Sequence, residues 1–324
     1  MCHLFKTINL CMFGSFITLI AGFSIFLHYQ AVAAQESSSN TPKGITISPP
    51  LKEIILNTGL IEAVTKITIT NNSGRNVIAN LRIVDFEATD ELGAVTFIDD
   101  GNPTKYALAS WVSLRQGNSV SIPNTKSVEV PVTIINGEGL APGGHYGALV
   151  ASIVTDDPAL AGKTVTLKQQ VTSLLFVKKI GGESYGLELE SFNPLEYGKV
   201  PSEVSTRFKN TGNTHVVPRG YIEVKDPKGI LVSKGILNPE STMILPDKNR
   251  QFSVIMQPVT DSSKSGRYTI TAYYRYDGQN DFTTQILSFN KYRITPQLLV
   301  WLGIVATLMT GMVVSISRHR RRSS

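Results

Sequence analysis

The chain has 324 residues, 42% of them hydrophobic and 17% charged, with 31 Lys+Arg against 25 Asp+Glu and a formal net charge of +6. That is too apolar for a disordered chain, and the basicity sits at the two ends. Without Lys6, Arg318, Arg320, Arg321 and Arg322, residues 35–293 keep 26 basic groups against 25 acidic ones, which excludes the basic stripe that nucleic-acid binding requires.

The first segment carries Lys6, an apolar stretch from Ile8 to Leu27, and small residues Ala31, Val32, Ala33 and Ala34 before polar Gln35. This is the layout of a secretory signal peptide over residues 1–34, with an uncleaved signal anchor as the alternative. A lipoprotein signal is disfavoured, because Cys11 follows Leu10 where such signals need a small residue. Both cysteines, Cys2 and Cys11, lie in this segment, so the remainder has no disulfide framework and no thiolate metal site. Residues 35–44 (QESSSNTPKG) are small and polar, a flexible leader.

From Ile45 onward, β-branched and aromatic residues alternate in short runs between Gly, Pro, Asn and Asp clusters, which predicts strand after strand. The runs are Val64 to Thr70, Val77 to Phe86, Val95 to Ile98, Val128 to Ile135, Tyr146 to Val154 and Val165 to Val177. No sustained 3.6-residue apolar period interrupts them, so the fold class is all-β with sheets packed face to face. A weak internal repeat divides the region. Asn72-Ser73-Gly74, Ile122-Pro123 and Gly144-His145-Tyr146 recur in order as Asn210-Thr211-Gly212, Leu245-Pro246 and Gly266-Arg267-Tyr268. Two immunoglobulin-like β-sandwiches follow, over residues 45–180 and 183–290, with Lys179 to Glu183 as the joint. Tyr146 and Tyr268 are placed as corner tyrosines whose hydroxyls bond back to the chain.

The chemistry on offer is sparse. No HExxH, GxSxG, GxxxxGK[ST] or GxGxxG occurs, so the chain is read as a non-enzyme without a cofactor. The densest local signal is Pro142-Gly143-Gly144-His145-Tyr146-Gly147, where glycines permit positive φ and the strand that follows sends Tyr146 and His145 to opposite faces. His145 is read as a surface imidazole, or more sharply, with Tyr146, as a ligand contact at a loop end. Trp111 is weighed as core against sugar platform. Asp85, Glu87, Asp90, Glu91 and the loop Asp99-Asp100-Gly101-Asn102 could supply oxygen ligands for Ca2+, but they do not follow the EF-hand spacing, and no metal site is assigned.

Leu298 to Ile316 is an uncharged run of 19 residues, about 28 Å as a helix, followed by Arg318, Arg320, Arg321 and Arg322. It predicts a single-pass transmembrane helix over 298–316 and a basic cytoplasmic tail over 317–324, with all that precedes it outside the cell. Gly303, Thr307 and Gly311, spaced by four, put small residues on one helix face. No LPxTG motif precedes the run.

The stretch from Ile45 to Lys179 resembles the peptidoglycan-binding domain of WxL-interacting proteins, surface proteins of Gram-positive bacteria. The likeness lies in the strand and Asn72-Ser73-Gly74 turn, Val84-Asp85-Phe86 leading to Gly93, Ser110-Trp111, and Pro142 to Gly147. The resemblance implies attachment to the cell wall and to a partner surface protein. The expected function is thus a membrane-anchored surface protein recognising cell-wall glycan or another surface protein through His145, Tyr146 and Trp111. The alternatives are a chaperone-like assembly module that accepts a client strand at a sheet edge, and a structural spacer.

Overall fold

A computed structural model describes residues 44–98, 104–154, 169–196, 198–261, 264–292 and 303–312. Alternating apolar residues build ten strands in the first half: β1 (Gly44–Ser48), β2 (Leu51–Leu56), β3 (Glu62–Asn72), β4 (Val77–Ala88), β5 (Val95–Ile98), β6 (Val112–Ser113), β7 (Ser119–Ile122), β8 (Lys126–Ile135), β9 (Gly143–Val154) and β10 (Gln169–Lys179). They form one sheet in the order β1-β3-β8-β6 and a second in the order β2-β10-β9-β4-β5, with β7 also on β4. Pro49 and Pro50 separate β1 from β2, and lacking N–H groups they cannot continue the ladder with β3. The chain changes sheets there, and β2 runs parallel to β10, with Leu174 opposite Leu51. Between the sheets, Ile67, Ile69, Val130, Val132 and Ile134 meet Leu56, Leu81, Leu149, Leu175 and Val177, all buried. Each such side chain contributes about 1.5–3 kcal/mol when fully buried.

The second half supplies β11 (Leu187–Pro194), β12 (Glu203–Asn210), β13 (Arg219–Lys225), β14 (Leu231–Leu237), β15 (Asn249–Ile255), β16 (Gln257–Pro258), β17 (Gly266–Arg275) and β18 (Thr283–Lys291). A three-stranded sheet, β11-β12-β15, faces a five-stranded one, β16-β14-β13-β17-β18. Val204, Phe208, Phe252 and Val254 pack there against Ile222, Val224, Ile270 and Tyr274.

The repeat seen in the sequence has a physical basis. Asn71 Nδ2 donates to the carbonyls of Arg75 and Ile122, while its Oδ1 accepts from Ser73 N–H. Asn210 Nδ2 donates to Thr214 and Ile244, and its Oδ1 accepts from Gly212 N–H. Each domain thus has a fully buried asparagine pinning the turn after its central strand to a segment far along the chain. The two corner tyrosines part company. Tyr268 Oη donates to Lys264 O at 2.9 Å, four residues upstream, as a corner tyrosine does. Tyr146 points its hydroxyl to the other domain instead.

The single-pass membrane placement is corrected here. The helix described near the C-terminus covers residues 303–312, about 15 Å long against the ~30 Å of a hydrocarbon core. Among the described residues no helix is long and apolar enough to cross a membrane. Six of its ten residues are Gly, Thr, Ile or Val, poor helix formers, and Thr307 and Thr310 bond back to carbonyls three and four residues earlier. The rest of the run Leu298 to Ile316, the four arginines, the signal segment and the leader before Gly44 lie outside the described residues.

Candidate functional site

The residues singled out in the sequence are tied into the scaffold. Trp111 ends a 3-10 turn (Ala109–Trp111) and packs against the first core. Gly137 and Gly139 lie so close to its ring that a Cβ on either would stand 2.5 or 3.0 Å from it. His145, expected at the surface, is buried. Its Nδ1 lies 3.1 Å from Ala107 O and its Nε2 2.8 Å from Ala141 O, so the ring fastens two loops to β9. The acids are engaged as well. Asp85 Oδ1 accepts from Leu108 and Ala109 N–H, both at 2.6 Å. Asp90 Oδ1 accepts from Leu92, Gly93 and Ala94 N–H, and these bonds lower its pKa. Glu87 meets Lys248 and Glu91 meets Arg207. Among the described residues no cluster of His, Cys, Asp and Glu could hold a metal ion; Asp99 to Asn102 lie outside them.

Tyr146 belongs to a seam between the domains. Its face of β9, with Ala148 and Val150, joins Phe86 and Phe176 in an apolar cluster that includes Leu245 of the second domain. The Tyr146 hydroxyl lies 3.3 Å from His215 Nδ1, and His215 Nε2 lies 3.1 Å from Glu53 Oε1, with Lys178 Nζ 3.5 Å from the same oxygen. Both ring nitrogens of His215 are thus engaged, one by the Tyr146 hydroxyl and one by the Glu53 carboxylate. The hydrogen bond from His215 is the largest influence holding the Glu53 carboxyl down at about 2, with Lys178 adding to it. Because the folded-state pKa is depressed, the stabilisation is present above the ordinary carboxylate value and lost as pH falls through about 4.5 towards about 2. The carboxylate is 40% exposed, so solvent screening leaves about 1 kcal/mol at neutral pH. Glu53→Gln is expected to lose that amount at pH 7 and to flatten stability between pH ~4.5 and ~2.5; parallel urea-midpoint profiles for the two proteins would refute the assignment.

Beside the seam lies a cavity of about 370 Å3, walled by Leu51, Phe86, Val95 and Phe176 from one domain and Met243 and Leu245 from the other. Its two cations are half-buried and engaged: Arg250 donates to Met243 O and Leu92 O, and Lys248 pairs with Glu87. Glu240, Ser241, Thr242 and Asn249 also line the wall on the side of the second domain.

What remains open is backbone. A sheet edge presents unpaired N–H and C=O groups, and proteins guard such edges with short strands, Lys, Pro, bulges or covering loops. β1 has five residues, β5 four, β6 two and β16 two. β2 carries Lys52, the free stretch of β8 carries Lys126 and Pro131, and the part of β10 not reached by β2 stops after Ser173. β11 has Glu188, Glu190, a bulge between Leu189 and Ser191, and Pro194. β15 is covered, since Gln251 N–H donates to Glu91 O of the other domain. β18 differs from all of these. It pairs with β17 over its full nine residues and, among the described residues, has no strand on its other side. Thr283 to Asn290 contains neither a charge nor a proline, and Ile286 at its centre is 64% exposed. On the outer face behind it, Tyr221 and Tyr273 stack at 4.8 Å, and Phe282 meets Tyr221 edge-on at 5.8 Å.

No family model and no curated protein matches the chain. Among solved structures it is similar to a chaperone–tip adhesin complex of CFA/I fimbriae biogenesis, with 12% identity over 76% of this chain and 98% of that one and a TM-score of 0.42. The class 5 fimbriae chaperone CfaA shows 11% identity over 78% and 100%, with a TM-score of 0.39. The CsuC–CsuE chaperone–tip adhesion subunit complex of Acinetobacter baumannii shows 10% over 77% and 99%, with a TM-score of 0.36.

Nothing in the sequence motifs pointed to β18. The usable signal was negative, a strand-like run of eight residues without a guard.

Proposed function

We propose that this chain is a non-catalytic binding protein that takes up an extended segment of a partner protein at the edge of β18. The observation that supports it is the edge itself: a nine-residue ladder whose first eight residues carry no charge or proline before Lys291 ends it, with no strand on its outer side among the described residues, in a molecule whose other edges are short, charged, broken or covered. An added strand would gain main-chain hydrogen bonds along that length, with side chains at alternate positions reading Thr284, Ile286 and Ser288. It would also cover Leu287 and Phe289, which are half-buried because the facing sheet has only three strands. The cell-wall reading finds less support, because His145 and Tyr146 are buried, both His145 ring nitrogens face backbone carbonyls, and Trp111 is half-buried with Gly137 and Gly139 packed close against its ring.

Selection of random displayed nonapeptides on the full chain tests this. Enriched peptides are expected to be rich in Thr, Val, Ile and Tyr and to lose at least about tenfold in affinity for Ile286→Lys, which puts the commonest natural edge guard at an exposed position. Peptides that bind the lysine variant as tightly as the parent would show that the edge is not the site.

A further inference from the structure

Resting on the strand-acceptance reading, we infer that the β18 edge selects a segment that is acidic at both ends and uncharged in the middle. The argument comes from β17, the strand beneath the edge. Arg267, Thr269, Thr271, Tyr273 and Arg275 share its outer face, while Tyr268, Ile270, Ala272 and Tyr274 enter the core. The two arginines, both exposed, bracket β18: Arg267 stands opposite Asn290, and Arg275 lies just beyond the Tyr274–Thr283 pair. Neither has an ion-pair partner among the described residues. The other cations on this face are already matched. Lys225 and Lys234 share Glu223, and Arg219 pairs with Asp277.

The geometry brings these charges to the edge. Adjacent strands lie ~4.8 Å apart, so a strand added beyond β18 would run ~10 Å from β17, a gap that an arginine and a glutamate side chain close between them. The Arg275 guanidinium already leans that way, with its Cζ 5.2 Å from the centre of the Phe282 ring. The two arginines are eight positions apart, about 27 Å along a strand, so carboxylates at the two ends of a nine-residue segment meet both of them. Because the cations bracket the edge on both sides, the preference holds for either chain direction.

The same charges disfavour a second copy of this chain as the occupant. Two β18 edges paired antiparallel about a twofold axis would set Arg267 of one and Arg275 of the other on the same face of the shared sheet, about 14 Å apart across three strand spacings, a weak like-charge repulsion at low salt.

Three blocked nonapeptides serve as probes against the full chain: alternating Thr and Val between two terminal glutamates, the same core between two lysines, and the same core between two threonines. The acidic peptide is expected to bind roughly fivefold tighter than the neutral one at low ionic strength, with the lysine peptide weakest and the spread collapsing in ~0.5 M salt. Arg267→Glu/Arg275→Glu should invert the order of the acidic and lysine peptides, while Ile286→Lys should weaken all three. If the three peptides bind wild type alike through an edge that Ile286→Lys still blocks, the acidic preference is wrong and strand acceptance stands. If none binds, or Ile286→Lys changes nothing, the underlying reading fails as well. Sedimentation showing a dimer that Ile286→Lys dissociates would make a second copy the occupant and overturn the inference.

Discussion

Replacing Asn210 with alanine is expected to destabilise the second domain by about 3 kcal/mol, out of proportion to the three atoms removed. The side chain is fully buried and serves three backbone groups: the carbonyls of Thr214 and Ile244 and the N–H of Gly212. Alanine leaves Thr214 O and Gly212 N–H without that partner, while Ile244 O keeps Val216 N–H, and each buried unsatisfied group costs about 1–3 kcal/mol, partly relieved by local relaxation. Asn71→Ala should cost the first domain a similar amount, since it removes the side-chain partner of Ile122 O and Ser73 N–H and leaves Arg75 O only the Ser73 hydroxyl. Asn210→Asp is the informative companion. It keeps the acceptor for Gly212 but loses both donors, and it buries a charge, so it should be no better than alanine. Urea unfolding of the three variants checks this; a loss below about 1 kcal/mol in both alanine variants would mean that water replaces the side chain without penalty.

The same residues show how far the sequence could be read. Strand runs at Val95 to Ile98 and Val128 to Ile135 match β5 and β8 within two residues, because alternation in a half-buried strand is a local property. The repeat was legible through its Asn-x-Gly turns, yet the equivalent of Asn210 is Asn71, one residue before the asparagine that the motif marks. Only the hydrogen bonds separate Asn71 from Asn72. Tyr146 and Tyr268 follow glycine-rich turns alike, and only Tyr268 closes a corner, because Tyr146 lies where His215 reaches it from the other domain. Glu53 and His215 are 162 positions apart, and no periodicity links them. The β18 edge was hidden for another reason: whether a strand has a second neighbour is a property of topology, which its own residues do not encode.

Phe176→Ala is expected to cost about 3 kcal/mol and to separate the unfolding of the two domains. Phe176 is 5% exposed, and its ring centre lies 5.6 Å from Phe86, 5.2 Å from Tyr146 and 5.3 Å from His215 of the second domain. Truncating a buried phenylalanine costs about 3–5 kcal/mol, with the higher values arising where a sealed void is left. Here the side chain already borders the interdomain cavity, so alanine enlarges an existing space and the lower figure applies. What distinguishes this loss from an ordinary core mutation is where it falls. Phe208→Ala removes a ring packed between Phe252 and Tyr274 inside the second domain and should lower that domain's stability without weakening the joint. Phe176→Ala removes the ring that three partners share at the seam, so calorimetry should resolve a single transition into two; one unbroken transition in Phe176→Ala would show that the surrounding polar contacts hold the domains together without it. Binding at β18 offers a second, independent reading. The second domain reaches the first through Arg207 and segments 213–215 and 243–251, whereas β18 closes its sheet beyond β13 and β17. Peptide affinity should therefore stay within about twofold in Phe176→Ala, as expected for sites that share no partners. A larger loss would mean that the joint between the domains sets the shape of the edge.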